Sequence, residues 1–150
     1  MAVIEFQLDG TILTANENFL NVVGYTLDEI QGKHHSIFVD PDYKNSTEYK
    51  QFWEALNRGE AQTGEFKRYG KNGTEVWIQA SYTPIKDLNG KPCKVVKYAN
   101  DVTDQKVAQQ TALDEVNRLI ESTQKGKLDD RADPEKADGD FKKLFQGMNE

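Results

Sequence analysis

The 150-residue sequence contains one cysteine, Cys93, and only two histidines, the adjacent pair His34 and His35. A single cysteine cannot form an internal disulfide or a multi-cysteine metal site. We expect Cys93, which follows Pro92 at the start of a strand, to be a small buried or half-buried side chain. Two adjacent histidines without carboxylate or cysteine ligands nearby do not make a convincing zinc site.

Long apolar segments are also missing, because no run approaches the ~20 residues that a transmembrane helix needs. The first residues lack the basic flank and long apolar core of a signal peptide. The sequence therefore predicts no membrane span, and a cytoplasmic location is expected. Hydrophobic residues make up 37% and charged residues 29% of the chain, which is typical of a soluble globular protein.

The sequence contains none of the common enzyme signatures, such as G-x-S-x-G, a P-loop or a recognisable Cys-His pair. The net charge is −6, and the lysines and arginines are not gathered into a stretch interleaved with aromatics. Such a distribution gives little support to nucleic-acid binding. We therefore expect a protein that is not an enzyme and does not bind nucleic acid.

The composition changes near Asp104. Nearly all aromatic residues and three of the four prolines precede this point, whereas the sequence after it is rich in Gln, Glu, Lys and Asp. We therefore divide the chain into a globular domain (1–103), a signalling helix (104–125) and a partial HAMP-like or linker segment (126–150).

Hydrophobic periodicity and turn residues predict two strands, several short helices and then three strands. The predicted strands cover residues 3–8, 11–15, 64–69, 75–85 and 94–102, and the predicted helices follow Asn16, Thr26 and Ser46 or Thr47. This order predicts an α+β fold, a five-stranded antiparallel sheet with short helices on one face. A ligand could bind between the helices and the sheet.

Several short strings carry a family resemblance. They are Leu8-Asp9-Gly10-Thr11-Ile12, 24–33, Gly70-Lys71-Asn72-Gly73, Asp87-Leu88-Asn89-Gly90 and Asp101-Val102-Thr103. In this order and spacing the chain resembles a PAS domain. His34-His35 before Ile37-Phe38, and Trp53 before Leu56, are most similar to PAS domains of bacterial chemoreceptors, including aerotaxis transducers. The resemblance implies a sensory or docking role, coupled to the signalling domain of a chemoreceptor.

The resemblance also suggests cofactors. Some chemoreceptor PAS domains hold haem through a histidine at this place, so His35 could ligate iron while His34 faces solvent; alternatively His35 is a core residue bonded to backbone. Asn16 and Trp53 match flavin-type aerotaxis domains. However, Asp40 stands where that group carries a cationic string, which makes FAD less favoured than haem. His35 replaces the photoreactive cysteine of light sensors, so no cysteinyl adduct can form. A domain without any cofactor is the main alternative.

If the strand register follows the light-sensor relatives, one face of the last three strands points inward. This face carries Phe66, Arg68, Val76, Ile78, Ala80, Tyr82, Val95, Lys97 and Ala99. Buried cations need partners, so Arg68 and Lys97 could bind haem propionates or an organic acid, or pair with Asp101. A register shifted by one residue would instead send both to solvent.

The end of the last strand is the predicted relay. Thr103 or Asp104 can cap the exit helix, and Asp101 can hold that helix against the domain through a basic partner. Further along, apolar residues fall close to a heptad seam, namely Val107, Leu113, Val116 and Ile120. We expect a homodimer. The alternative to a sensor is a ligand-free module for dimerisation and protein interaction.

Overall fold

The computed structural model describes residues 1–129, with side-chain environments through Gln124. The strands are β1 (Ala2–Phe6), β2 (Ile12–Ala15), β3 (Gln62–Tyr69), β4 (Glu75–Lys86) and β5 (Pro92–Asp101). The helices are α1 (Glu17–Val23), α2 (Leu27–Ile30), α3 (Pro41–Lys44), α4 (Thr47–Asn57) and α5 (Thr103–Asp129), and 3-10 turns cover His35–Phe38 and Lys71–Gly73. The predicted order of strands and helices is confirmed.

The five strands form one antiparallel sheet in the order β2-β1-β5-β4-β3. In the β4–β5 ladder Ala80 lies opposite Ala99 and Tyr82 lies opposite Lys97. Since side chains alternate between the two faces of a strand, this register fixes which residues enter the core. Arg68 and Lys97 are 4% and 0% exposed, so both point inward and the shifted register is excluded.

Short helices cover the inner face of the sheet, and their ends follow local rules. The Asn16 side chain caps α1 by accepting a hydrogen bond from Phe19 N, and Gly24 ends that helix with a φ of 75°. Ser46 caps α4 by accepting from Tyr49 N. These polar caps satisfy backbone N–H groups that have no partner within the helix. The α1 cap and Gly24 were predicted, and Ser46 was one of two candidates for α4.

One apolar core joins the helices to the sheet. It includes Phe19 and Val23 of α1, Ile30 of α2 and the inner faces of β1, β4 and β5. Helix α4 contributes four buried residues at helical spacing, which are Tyr49, Phe52, Trp53 and Leu56. The architecture is therefore α+β, with the short helices and the sheet enclosing one interior.

Two local expectations are wrong. Cys93 is exposed, with Sγ 3.3 Å from the Ile85 carbonyl oxygen, because it lies where the β4–β5 register is interrupted beside Lys86. The segment after Asp40 forms the helix α3, which is not among the helices predicted from the sequence. Asp40 caps α3 and Pro41 occupies its first turn, a position where the missing proline N–H removes no helical hydrogen bond.

The described residues fall into two compact units, one of which is Met1–Asp104, while the other begins at Gln105. Helix α5 spans the predicted signalling helix and continues to Asp129. The remainder of the predicted HAMP-like segment, residues 130–150, lies outside the described part of the chain. Within that part, no helix combines the length and apolarity that crossing a bilayer requires.

Candidate functional site

His35 lies at the centre of an aromatic cluster and has no exposed surface. Its ring is 5.3–6.4 Å from the centroids of six aromatic rings, which belong to Phe6, Trp53, Tyr82, Tyr49, Phe38 and Phe52. Edge-to-face and offset arrangements of this kind stabilise aromatic pairs. We call these seven side chains the His35 cluster.

Both ring nitrogens of His35 have hydrogen-bond partners. Nδ1 is 2.7 Å from the Tyr49 hydroxyl and Nε2 is 2.9 Å from the Tyr82 hydroxyl. Arg68 Nη2 donates to the Tyr82 oxygen at 3.2 Å. Because the fully buried Tyr82 oxygen accepts from Arg68, the Tyr82 hydroxyl can donate its own proton to His35 Nε2. The imidazole proton then lies on Nδ1 and is donated to the Tyr49 hydroxyl. A directional chain therefore runs Arg68–Tyr82–His35–Tyr49.

The His35 imidazole is held neutral by its surroundings. Burial lowers its pKa well below 6.5, and electrostatic interaction with the neighbouring Arg68, Lys97 and His34 lowers this pKa further. A neutral ring with one donor and one acceptor matches the two hydroxyls beside it. The alternative of a core histidine therefore describes the geometry, although its partners are tyrosines and not backbone.

Arg68 extends from β3 into the same interior. Nη1 donates to the Lys67 carbonyl oxygen at 3.1 Å, and the guanidinium carbon is 4.8 Å from the Phe66 ring centroid. Its buried Nε has no hydrogen-bond partner among the described residues. Because a guanidinium stays protonated in proteins, Arg68 places a permanent positive charge in the core.

Lys97 is the second buried cationic residue, and it enters from β5. Its Nζ lacks a hydrogen-bond partner in the described part of the chain and lies 4.7 Å from the Tyr82 ring centroid and 5.5 Å from that of Phe19. Burial lowers the pKa of Lys97 well below 10.5, and Arg68 lowers it further. Aromatic faces offset part of the cost of burying an ammonium group, but they are weaker partners than a carboxylate.

A small cavity lies between the helices and the sheet, and Arg68 and Lys97 both line it. The rest of its lining is mainly apolar and includes Phe19, Val22, Val23, Phe38, Val76 and Ile78. The enclosed space is about 10 Å³, which is room for about one water molecule. Together with its opening to solvent, the empty space is about 320 Å³. We call this feature the cation cavity.

Asp101 also lines the cation cavity, but it forms no ion pair with Arg68 or Lys97 among the described contacts. Its Oδ1 instead accepts from Thr103 N at 2.9 Å and from Thr103 Oγ1 at 2.6 Å. Thr103 Oγ1 in turn accepts from Trp77 N at 3.0 Å, and Val102 N donates to Trp77 O. These contacts tie the first residue of α5 to the β4 backbone.

The expected cap of the exit helix is therefore wrong. Thr103 is the first helical residue, and the carboxylate that accepts from its N–H belongs to Asp101. Within the part of the chain that the structure describes, Asp101 has no basic partner, and its Oδ1 accepts from Thr103 instead. Trp77 takes part in these hydrogen bonds through its backbone N–H and carbonyl groups.

The structure does not bring all the predicted site residues together. Ile78, Tyr82, Arg68 and Lys97 share the interior, and Trp53 packs beside His35. Asn16 is exposed, and its side chain binds Val3 N, Phe19 N and Met1 O as a helix cap. His34 does not face solvent freely, because it is half-buried and its ring contacts Asp9 O and Ser36 N.

Tyr49 is a site residue that the sequence interpretation missed. Its helical spacing places it on the inner face of α4, but only tertiary packing shows that its hydroxyl meets His35. A buried tyrosine hydroxyl usually has a hydrogen-bond partner, and that is the one signal that could have linked it to a nearby histidine.

The residues present do not fit a haem. The axial ligand would have to be His35, but both of its nitrogens are hydrogen-bonded and six aromatic rings surround it. A flavin ring system would have to displace the aromatic core, since the cation cavity encloses room for about one water. Within the described residues there is also no group of three or more His, Cys, Asp or Glu side chains that could hold a metal ion.

The antiparallel sheet and the short helices over its inner face define a small α+β domain with a small interior cavity. A model of the PAS fold matches residues 12–99. The chain belongs to the PAS family.

Comparison with known proteins points to chemotaxis transducers. The chain is 49% identical over 104 residues to the biofilm dispersion protein BdlA of Pseudomonas aeruginosa, covering 69% of this chain and 25% of that protein. It is 33% identical over 101 residues to the aerotaxis receptor of Escherichia coli, covering 67% of this chain and 20% of the receptor. The chain thus spans a quarter or less of the length of these relatives.

Solved structures support the fold. A PAS domain from Colwellia psychrerythraea has a TM-score of 0.60 at 22% identity, covering 69% of this chain and 86% of that one. A light-oxygen-voltage domain studied with a flavin analogue also has a TM-score of 0.60 at 22% identity, covering 78% and 87%. At this level of identity the likeness concerns the fold alone.

Proposed function

We propose that this chain is the sensory module of a bacterial chemotaxis transducer and that it relays the state of its sheet to α5 through Asp101 and Thr103. The observation that carries the proposal is the Asp101–Thr103–Trp77 set of hydrogen bonds. In this role the module works in the cytoplasm without catalysing a reaction. Its partners are a second copy and the signalling domain of the same transducer.

The relay contacts support the proposal because they couple two strands to one helical residue. Thr103 Oγ1 lies 2.6 Å from Asp101 Oδ1 on β5 and 3.0 Å from Trp77 N on β4. Asp101 lines the cation cavity, and Ile78, the residue after Trp77, lines it as well. A rearrangement of the cavity wall would therefore move atoms that hold the start of α5. These hydrogen bonds can transmit a structural change only if they have two alternative arrangements.

A second candidate is the ligand-free dimerisation module. The observation in its favour is the exposure of three large apolar side chains on α5, since Val107, Leu113 and Leu119 are each more than half exposed. On the same helix, Leu113, Val116 and Ile120 follow the three-and-four spacing of a coiled-coil seam. Sedimentation measures whether the chain forms a dimer. A dimer whose signalling does not change when Asp101 or Thr103 is substituted would favour the second candidate over the first.

A chimeric receptor tests the relay. Residues 1–104 of this chain replace the stretch of the E. coli aerotaxis receptor to which they are similar, and swimming behaviour is recorded. We expect Thr103→Val to change the signalling bias, because valine keeps the shape but removes both hydroxyl hydrogen bonds. Thr63→Val is the matched control, since Thr63 lies exposed on β3 and bonds only Ser81.

The outcome separates the alternatives. Altered bias in Thr103→Val with unchanged bias in Thr63→Val supports the relay. Equal behaviour of the parent chimera and Thr103→Val, at equal expression, contradicts it. A chimera whose bias does not differ from that of a receptor lacking this segment contradicts the sensory role altogether.

A further inference from the structure

We propose that the cation cavity binds a short-chain carboxylate, such as acetate or propionate, between Lys97 and Arg68. The inference names the ligand class of the proposed sensory module and rests on that function for its signalling consequence. The binding itself is argued from the buried charges, the lining and the size of the cavity.

The charges provide the first argument. Lys97 and Arg68 are 0% and 4% exposed, and neither forms an ion pair among the described contacts. Lys97 Nζ and Arg68 Nε are both buried without a hydrogen-bond partner there. Buried charges in folded proteins are normally paired, because removing an ion from water costs several kcal/mol. Arg68 keeps its charge and Lys97 can hold a proton beside an anion, so two such groups on one cavity indicate an anion that binds between them.

The lining selects the kind of anion. Apart from the two cations and Asp101, the cavity walls are apolar, with Phe19 and Phe38 on one side and Val76 and Ile78 on the sheet. A carboxylate accepts hydrogen bonds at one end and can place a hydrocarbon tail against such walls. Inorganic phosphate needs donors around all its oxygens, and the cavity does not supply them.

The size limits the tail. The enclosed space is about 10 Å³, and the larger empty space of about 320 Å³ includes the opening to solvent. Val22 of α1 lines the cavity and is half-buried, so a small outward shift of this short helix enlarges the space. A short chain fits after such a shift, whereas a ligand with rings would displace the aromatic core.

Protonation supplies an independent signature. Lys97 faces Arg68 from β3, Tyr82 from β4 and Phe19 from α1, while Asp101 lies at the end of its own strand and His35 lies across Tyr82. Burial and Arg68 lower the pKa of Lys97 in the free protein, and a bound carboxylate raises it. Binding therefore takes up a proton wherever the solution pH exceeds the lowered pKa, and affinity falls as pH rises there.

The experiment is calorimetric titration of the 150-residue chain with sodium propionate and sodium acetate, with sodium phosphate and sodium chloride as the other arms. We expect both carboxylates to bind and the inorganic anions not to bind. Lys97→Met, which keeps the length of the side chain but removes the amine, should weaken propionate binding at least tenfold. Lys94→Met is the matched control, because Lys94 lies on the same strand but pairs with Glu5 at the surface.

Folding of the variant is checked by thermal unfolding without ligand. We expect Lys97→Met to raise the melting temperature, because it replaces an unpartnered buried amine with an apolar group. Propionate should raise the melting temperature of the parent chain and of Lys94→Met, but not that of Lys97→Met.

Three results would overturn the proposal. The first is no binding of either carboxylate, the second is propionate binding that Lys97→Met leaves unchanged, and the third is binding of phosphate or chloride as tight as that of propionate. If any of these occurs while Thr103→Val still alters the chimeric receptor, the ligand class fails and the sensory role stands. If Thr103→Val has no effect but propionate binds at Lys97, the relay fails and the binding site stands.

Discussion

The His35 cluster and the cation cavity lie in one interior and share Phe38, and Tyr82 of the cluster contacts both Arg68 and Lys97 of the cavity, yet their buried polar groups differ in hydrogen bonding. In the cluster, both His35 nitrogens are bonded at 2.7 and 2.9 Å. In the cavity, Lys97 Nζ and Arg68 Nε have no partner among the described residues. Trp53 Nε1 also lacks a partner among the described residues. Apart from that atom, the core contains a hydrogen-bonded polar network around His35 beside two basic side chains with unpartnered nitrogen atoms.

This difference distinguishes a polar network that stabilises the fold from a site that is a candidate for ligand binding. A buried network in which each member is satisfied rigidifies a core and specifies one packing. Unpartnered buried cations lower the stability of the free protein, and features that cost stability are expected at functional sites. We therefore assign His35 to the architecture of the domain and the cation cavity to its ligand. Substitutions of His35 and Tyr82 test this assignment through the hydrogen-bonded network.

The largest effect is expected for His35→Ala. The substitution removes a ring packed against six others and leaves the Tyr49 and Tyr82 hydroxyls without their shared partner. We expect the free energy of unfolding to fall by about 3–5 kcal/mol, as for other buried rings. Urea denaturation measures the change.

His34→Ala is the control, because the neighbouring side chain is half-buried, hydrogen-bonds the backbone at Asp9 O and Ser36 N and packs beside two rings, those of Trp53 at 6.0 Å and Tyr49 at 6.4 Å. We expect a loss of about 1 kcal/mol there. Equal losses in the free energy of unfolding for the two variants would show that His35 stabilises the core no more than the half-buried His34 does.

Tyr82→Phe tests the link between the two regions. It keeps the ring that contacts Phe52 and Lys97 but removes the hydroxyl that joins Arg68 to His35. We expect a loss of about 1–3 kcal/mol in the free energy of unfolding, because both former partners stay buried. The sign is opposite to that expected for Lys97→Met.

Tyr98→Phe provides the matched control on β5, since Tyr98 is 44% exposed. We expect a change within about 0.5 kcal/mol there. If denaturation curves of Tyr82→Phe and Tyr98→Phe coincide with that of the parent chain, the Arg68–Tyr82–His35 chain does not stabilise the fold.

Much of the fold follows from sequence, because its signals are local. Asn16 and Gly24 bound α1 through a cap and a positive φ, and the alternation in β4 and β5 places Tyr82 and Lys97 on one face. Even the inward direction of two cations could be predicted once the strand register was assumed. The exposed Cys93 could not, because the irregularity beside Lys86 breaks the alternation.

The candidate site is less accessible to sequence reasoning because it depends on contacts between distant residues. His35 meets Tyr49 across 14 residues and Tyr82 across 47, and no periodicity encodes such a meeting. The sequence offered His35 as a metal ligand, since a histidine pattern does not reveal that both nitrogens are engaged. Similarly, the sequence does not reveal that Lys97 Nζ is without a hydrogen-bond partner among the described residues, because this depends on how the interior packs.

The smallest effect, and a direct test of the neutral imidazole, is the pH dependence of stability. The pKa of His35 lies well below 6.5 in the folded chain and near 6.5 when unfolded, so below pH 6.5 the unfolded chain binds a proton that the folded chain does not. The free energy of unfolding therefore falls as pH falls through this window, by at most about 1.4 kcal/mol per pH unit.

The lowered pKa of Lys97 gives a slope of the same sign wherever pH lies between that pKa and 10.5, so the His35 part must be isolated by a variant. Urea denaturation at about pH 7.5 and about pH 5.5 should show a smaller pH difference for His35→Phe than for the parent chain. The pKa of Glu29 is lowered to about 2 by its hydrogen bond with Lys71, and stability lost through that group appears only below 4.5, outside this window. Identical pH differences in the two proteins would mean that His35 is protonated as readily in the core as in the unfolded chain, and the assignment of the His35 cluster as a neutral, satisfied network would be wrong.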